Sequence, residues 1–125
     1  MDTFELTVES SFDAAHFLPK HTGQCKNMHG HTWRVAATWI SGTLGSVGYA
    51  ADFSQLKLAL REVTDELDHD IINEHVTPPS AEKIAQYIFD KLGNFLCTED
   101  GAVIALKAIE VWESPTTSVK VTRDA

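Results

Sequence analysis

The sequence predicts an α+β domain: a four-stranded antiparallel sheet with two helices on one face, in the order strand, strand, helix, helix, strand, strand. Three observations carry this. Apolar and polar residues alternate from Phe4 onward, with Phe4, Leu6 and Val8 set against Glu5, Thr7 and Glu9, the pattern of a half-buried strand. Two middle segments switch to helical spacing. The apolar run Val103, Ile104, Leu106, Ile109, Val111 then returns to a strand pattern.

The first strand runs from Thr3 through Val8 and on to Phe12, Ala14 and His16, with a bulge expected around Ser10-Ser11. Residues 17–28 hold Pro19 and Gly23 and little periodicity, so they form a loop, long for a hairpin connection. The second strand spans His31 to Ile40, with Trp33, Val35 and Trp39 on one face, and Gly42, Gly45 and Gly48 mark turns after it. The first helix covers Ser54 to about Leu67: Leu56, Leu60, Val63 and Leu67 make one stripe, and Asp52 or Ser54 is its N-cap. The second helix follows Pro78-Pro79, from Ser80 to about Leu92, with the stripe Ile84, Tyr87, Ile88, Leu92. After a connection at 93–101 come a third strand, Ala102 to Trp112, and a short fourth, Val119 to Thr122.

The 125 residues fit a single domain, 1–125, without repeats or linkers. A chain of this size buries roughly two-thirds of its unfolded surface. Hydrophobic residues are 43% and charged residues 22%, ordinary globular values. No apolar run approaches the ~18 residues of a membrane span. The start of the chain lacks a basic-then-apolar leader, so a cytoplasmic protein is expected. The net charge of -8, from 10 basic and 18 acidic residues, argues against nucleic acid as a partner. A phosphorylated ligand would have to be met locally, and Lys20, Lys26 and Arg34 are the candidates nearest the motif described next. Two cysteines, Cys25 and Cys97, permit a disulfide by count, but in the expected compartment both are free thiols.

The stretch Cys25-Lys26-Asn27-Met28-His29-Gly30-His31 holds a thiol and two imidazoles in seven residues. If His29 opens a strand, His29 and His31 share a face, and Gly30 lets the backbone come close. His16 ends the first strand, adjacent to that start in a hairpin. Three imidazoles with an open fourth position are a catalytic metal pattern. Cys25 either closes the site as a fourth ligand or stays free beside the cation as a base. Asp68-His69 reads as a helix-end cap or as an acid–base pair. Glu113, ending an apolar strand, is a sheet-edge charge or an acceptor of two parallel N–H bonds.

Six pieces in order, Phe12-Asp13-Ala14-Ala15-His16, Cys25 to His31, Gly48 to Phe53, Leu67-Asp68-His69, Pro79-Ser80-Ala81-Glu82 and Val111-Trp112-Glu113-Ser114, resemble the 6-pyruvoyl-tetrahydropterin synthase and 6-carboxy-tetrahydropterin synthase family, of the tunnelling fold. The resemblance spans 12–114. It implies that His16, His29 and His31 bind zinc, that Cys25 is the catalytic thiol with Asp68 and His69 completing a proton-transfer triad, and that Glu113 anchors a pterin ring near Ser80 and Ala81. It implies 7,8-dihydroneopterin triphosphate as substrate, and a homo-oligomer, a trimer or hexamer with sites between subunits. The short loops resemble the carboxy branch, on the route to deazapurines such as queuosine. The pyruvoyl branch and a non-catalytic pterin-binding module are the alternatives. A branch that cleaves dihydroneopterin phosphates has glutamate near the Cys25 position, so Cys25 argues against it. Ser114 and the Ser80-Ala81 pair stand where the family commonly has threonine.

Overall fold

The computed structural model describes residues 1–93 and 102–124. The strands are β1 (Phe4–His16), β2 (His29–Ser41), β3 (Ala105–Ser114) and β4 (Thr117–Thr122). The helices α1 (Phe53–Leu67) and α2 (Ala81–Leu92) lie between β2 and β3, with single 3-10 turns at Gln24–Lys26 and Ile72–Glu74. The sheet is antiparallel throughout, in the order β1-β2-β3-β4. The expected class and element order are therefore observed. Of the expected connection at 93–101, residues 94–101, with Cys97, lie outside the described residues, and Cys25 is a free thiol. No helix among the described residues is long and apolar enough to cross a membrane.

The two helices pack on one face of the sheet, α1 against β1 and α2 against β3 and β4. Leu56, Leu60, Val63 and Leu67 of α1 are buried, as are Ile84, Ile88 and Leu92 of α2, so both stripes face the core. Tyr87 lies at the margin and donates its hydroxyl to Glu66 Oε2 at 3.2 Å. Asp52 caps α1: its Oδ1 accepts from Ser54 N at 2.9 Å and from Ser54 Oγ at 2.7 Å. Ser80 caps α2, accepting from Lys83 N at 3.2 Å.

One expected bulge and three strand starts, each by two residues or more, differ from the sequence pattern. The bulge expected at Ser10-Ser11 is absent: β1 and β2 pair without interruption from Phe4–Ser41 to His16–His29. Ser10 keeps the inward parity of Val8 and Phe12, and its hydroxyl bonds Thr64 Oγ1 of α1 at 2.8 Å. The break in apolar alternation is thus a satisfied polar pair. β2 opens two residues earlier than the pattern suggested, because His29 has His16 as its cross-strand partner. β3 starts at Ala105, since Ala105 already pairs with Ile40 and β2 ends one residue later. Ala102 and Ile104 are still buried as a lead-in. β4 begins at Thr117, two residues before its apolar alternation.

β1 is an edge strand, but its C-terminal half is covered. His69 N donates to Asp13 O at 2.6 Å, Ala15 N to Asp70 O at 3.2 Å, and Phe17 N to Asn73 Oδ1 at 3.1 Å. The chain leaving α1 therefore runs along the strand that ends in His16. His69 makes the turn with φ 59, a left-handed conformation uncommon for a non-glycine residue.

Leu60 is fully buried between α1 and the sheet. Leu60→Ala is expected to lower unfolding free energy by about 2–5 kcal/mol. Urea denaturation of the metal-free protein checks this: the midpoint falls and the slope is unchanged.

Candidate metal centre and its surroundings

On β1 the even-numbered residues face the helices, and on β2 the odd-numbered ones do. That parity carries Phe12, Ala14 and His16 and, opposite them, Trp33, His31 and His29 onto one surface. The apolar members lie under the helices; the histidines lie where the strands run beyond them. His16 is 1% exposed. Its ring centroid is 4.5 Å from that of His29 and 5.3 Å from that of His31, and His29 and His31 are 4.8 Å apart. Trp33 forms the floor, edge-on to His16 at 5.0 Å and to His31 at 5.2 Å. Its own Nε1 donates to Ala14 O at 3.2 Å.

Two rings are oriented by backbone carbonyls. His16 Nδ1 lies 2.8 Å from Pro79 O, and His29 Nδ1 lies 2.7 Å from Asn27 O. A carbonyl only accepts, so each Nδ1 carries the proton and each Nε2 is left with a lone pair. Such an outer hydrogen bond is the usual way a ligand imidazole is held. The Nε2 atoms of His16 and His31 are buried and have no hydrogen-bond partner. Glu113 Oε1 lies 3.3 Å from His31 Nε2, but out of line for a hydrogen bond. Buried acceptors without partners are costly, and a divalent cation would satisfy both at once. The ligand atoms of His16, His29, His31 and Glu113 all lie within 4.8 Å of one another, so the four residues can hold one metal ion.

Burial lowers the pKa of His16; the Pro79 carbonyl works against this, and His29 adds to it. Burial likewise lowers that of His31, opposed by Glu113 and assisted by His16 and His29. Both rings are thereby kept in the neutral form that ligates metals.

Gly30 has a different role from the expected close approach. It points to the opposite face from the histidines, and a Cβ there would meet only Ala14 O at 3.9 Å, an ordinary contact.

Cys25 sits in the 3-10 turn of the β1–β2 loop, half-buried, with its carbonyl accepting from Leu18 N at 2.7 Å. That bond folds the loop back beside the end of β1. Asp68 and His69 form a second cluster with Asp13. His69 Nδ1 is 3.0 Å from Asp68 Oδ2, and Asp68 Oδ1 accepts from Asp13 N at 2.9 Å. The Asp13 backbone N–H, followed by the His69 ring, holds the Asp68 carboxyl below the usual range. His69 is largely exposed, with a side chain 79% accessible.

Glu113 lies beside a pocket of about 390 Å³ that it lines with His31, Thr32, Arg34, Trp112 and Ser114. Ser80 and Ala81 do not line that pocket: Ser80 caps α2 and Ala81 is buried in its first turn. Their neighbour Pro79 reaches the centre, through its carbonyl on His16. Sequence reasoning missed Pro79, Asn27 and Trp33 as parts of the site. Two act through backbone carbonyls, which no side-chain pattern reveals. Trp33 was legible as the next same-face residue after His31.

Comparison with known proteins adds an independent line. A family model described as 6-pyruvoyl tetrahydropterin synthase matches residues 5–124. A 6-carboxy-5,6,7,8-tetrahydropterin synthase of Synechocystis sp. is 38% identical over 119 residues, covering 90% of this chain and 88% of that protein. One of Bacillus subtilis is 31% identical over 123 residues, covering 91% and 82%. The solved 6-pyruvoyl tetrahydropterin synthase of Caenorhabditis elegans superposes with a TM-score of 0.82 at 23% identity, over 99% of this chain and 98% of that one. At that identity the likeness concerns the fold.

The depressed histidine pKa values set a pH dependence for the metal-free protein. The unfolded chain takes up protons near the ordinary value of 6.5, whereas folded His16 and His31 resist until lower pH. Between those values the unfolded state binds more protons, so stability falls as pH falls. Denaturation midpoints should drop from pH 7.5 to 5.5, and the slope should flatten in His16→Gln/His31→Gln. The lowered carboxyls of Asp52, Asp68 and Asp70 act in a separate, more acidic window, where stability present above the ordinary carboxylate value of 3.8 is lost as they protonate.

Proposed function

The chain belongs to the 6-pyruvoyl tetrahydropterin synthase family, and we propose that it is a zinc-dependent lyase converting 7,8-dihydroneopterin triphosphate and one water to 6-carboxy-5,6,7,8-tetrahydropterin, with release of acetaldehyde and triphosphate. The observation that carries the reading is the set of three converging imidazoles, two of them (His16 and His31) with unpartnered buried Nε2 atoms, beside a pocket lined by Glu113. Its support for the carboxy product comes from the names of the Synechocystis and Bacillus relatives. The family model carries the pyruvoyl name, so the second reading is elimination of triphosphate with all side-chain carbons retained. Incubation with dihydroneopterin triphosphate and mass analysis of the pterin decides between them. 6-Carboxytetrahydropterin with acetaldehyde supports the first, 6-pyruvoyltetrahydropterin the second, and unreacted substrate overturns both.

His16, His29 and His31 are the proposed zinc ligands, imidazoles being suited to that metal. Bound there, zinc supplies a Lewis acid that makes protons on the hydroxyl-bearing side chain of the substrate easier to remove. Cys25 is the proposed base for a proton on a carbon beside the pterin ring. His69 gives or takes the second proton, and Asp68 holds its ring: a carboxylate kept anionic stabilises the imidazolium that forms. Glu113 is the proposed ring anchor, its two oxygens accepting parallel N–H bonds. In one chain His69 is exposed and belongs to a cluster separate from the histidine trio. Joining the two is the proposed role of a second subunit, in a trimer or hexamer. Among the described residues the N-terminal half of β1 and the outer side of β4 are free edges that invite such pairing. A cytoplasmic enzyme of deazapurine synthesis, such as the queuosine route, fits this product.

Metal analysis and calorimetry together separate the roles of the histidines and of Glu113. His29→Ala is expected to lose nearly all zinc. Glu113→Gln is expected to keep its zinc and to bind a pterin product at least tenfold more weakly, because a donor then faces a donor. Loss of zinc from Glu113→Gln would make Glu113 a ligand and not the anchor.

Cys25→Ser replaces the thiol with a far weaker base of similar shape. Turnover by the purified variant is expected to fall about 10²–10⁴-fold, with zinc content unchanged. His69→Ala should fall comparably, and the double variant less than the product of the two. Near-normal turnover by Cys25→Ser would remove the thiol from the mechanism.

A further inference from the structure

The chain leaving α1 holds the end of β1 at three alternate residues, and the third hold is made by a side chain. His69 N donates to Asp13 O at 2.6 Å, and Ala15 N donates to Asp70 O at 3.2 Å, both backbone to backbone. At Phe17 the covering chain has turned away into the 3-10 turn Ile72–Glu74. Among the described residues none of its backbone groups bonds Phe17, and the Asn73 side chain stands in for one. Phe17 N donates to Asn73 Oδ1 at 3.1 Å, and Asn73 Nδ2 donates to Phe17 O at 2.9 Å. A carboxamide carries one acceptor and one donor group, and here each meets its complement on the same residue.

The turn that presents Asn73 is braced. Ile72 is fully buried, and its carbonyl accepts from His75 N at 2.8 Å and from Val76 N at 2.9 Å. His75 Nε2 lies 2.8 Å from Asp70 Oδ2, and Thr77 Oγ1 donates to Asn73 O at 3.3 Å. Six residues after Asn73 the same segment supplies the Pro79 carbonyl to His16 Nδ1.

The two bonds of Asn73 fall on consecutive peptide planes. Phe17 N belongs to the plane shared with His16. Phe17 O belongs to the plane shared with Leu18, whose N–H donates to Cys25 O at 2.7 Å. Only φ and ψ of Phe17 separate those planes, so holding both planes fixes both angles. We infer that Asn73 is a positioning residue: its amide sets the direction in which the chain leaves His16, and so couples that ligand to the turn that carries Cys25. The inference rests on the zinc and thiol roles proposed above and adds to them a residue outside both side-chain clusters. An aspartate of the same size presents two acceptors, so its second oxygen would face Phe17 O.

Two readouts on the zinc-loaded full chain test the coupling, one on each side of Phe17. Chelator competition reports zinc affinity. Alkylation by iodoacetamide, with peptide masses that separate Cys25 from Cys97, reports the thiol turn. In Asn73→Asp zinc affinity is expected to weaken about 10–100-fold, the range for a group that orients a ligand at one remove. Alkylation of Cys25 is expected to speed up about tenfold, the factor of one lost hydrogen bond. At saturating zinc kcat should fall with little change in KM. Asn73→Ala removes both bonds without adding a charge and should move both readouts the same way. Leu60→Ala, which lowers stability through the core, should match wild type in both at a temperature where it stays folded. Equal changes in Leu60→Ala would reduce the effect to lost stability and overturn the inference. Wild-type behaviour of both Asn73 variants would overturn it too. A change in one readout alone would show that the two sides are not coupled and would have the same consequence. No turnover by wild type, with both readouts still dependent on Asn73, would remove the lyase reading and leave the positioning role standing.

Discussion

The register between β1 and β2 is the constraint on which the candidate metal centre depends. Thirteen residues of each strand pair without a break, from Phe4–Ser41 to His16–His29. Side chains alternate with a period of two, so a slip of one residue would move every inward side chain of β1 to the outer face. His16 would leave the cluster, and Val8 and Phe12 would leave the core with it. The same parity serves both purposes: hydrophobic burial under the helices locks the register, and the register places the imidazoles at the uncovered end. The polar pair Ser10–Thr64 keeps that parity through the one inward position of β1 between Leu6 and Ala14 that lacks an apolar side chain.

A second layer of control comes from backbone carbonyls. Pro79 O and Asn27 O each fix an imidazole tautomer, and neither belongs to the sheet. Pro79 lies just ahead of the Ser80 cap, so the start of α2 is coupled to His16. Burial of His16 and His31 disfavours their protonated forms, while Trp33 supplies an apolar floor. Orientation and electrostatics thus both favour neutral rings with inward lone pairs.

The chain leaving α1 does comparable work on the other side of β1. Residues 68–73 cover the free edge of the strand and carry Asp68 and His69 with them. One hydrogen bond, from Asp13 N to Asp68 Oδ1, both satisfies an edge donor and helps keep the carboxylate charged. Among the described residues the remaining half of β1 has no such cover, and next to it lie the exposed Phe53 and the Lys57–Arg61 pair. Edge protection and charge placement are therefore unevenly distributed along one strand.

The amino-acid sequence alone determined the fold class, the element order, the inward stripes of both helices and the three histidines, because these rest on periodicity and on residue chemistry. Cys25, Asp68, His69 and Glu113 were legible through their ordered motifs. Only the tertiary structure decided the unbroken β1–β2 register, the true start of β3, the capping role of Ser80, and the carbonyls that orient His16 and His29. It also showed that Arg34, among the three basic residues singled out near the motif, borders the pocket of Glu113. The physical reason is the same in each case: these features depend on which distant backbone atom or side chain arrives at a given place, and a local pattern encodes the spacing of residues along an element but not what packs against it.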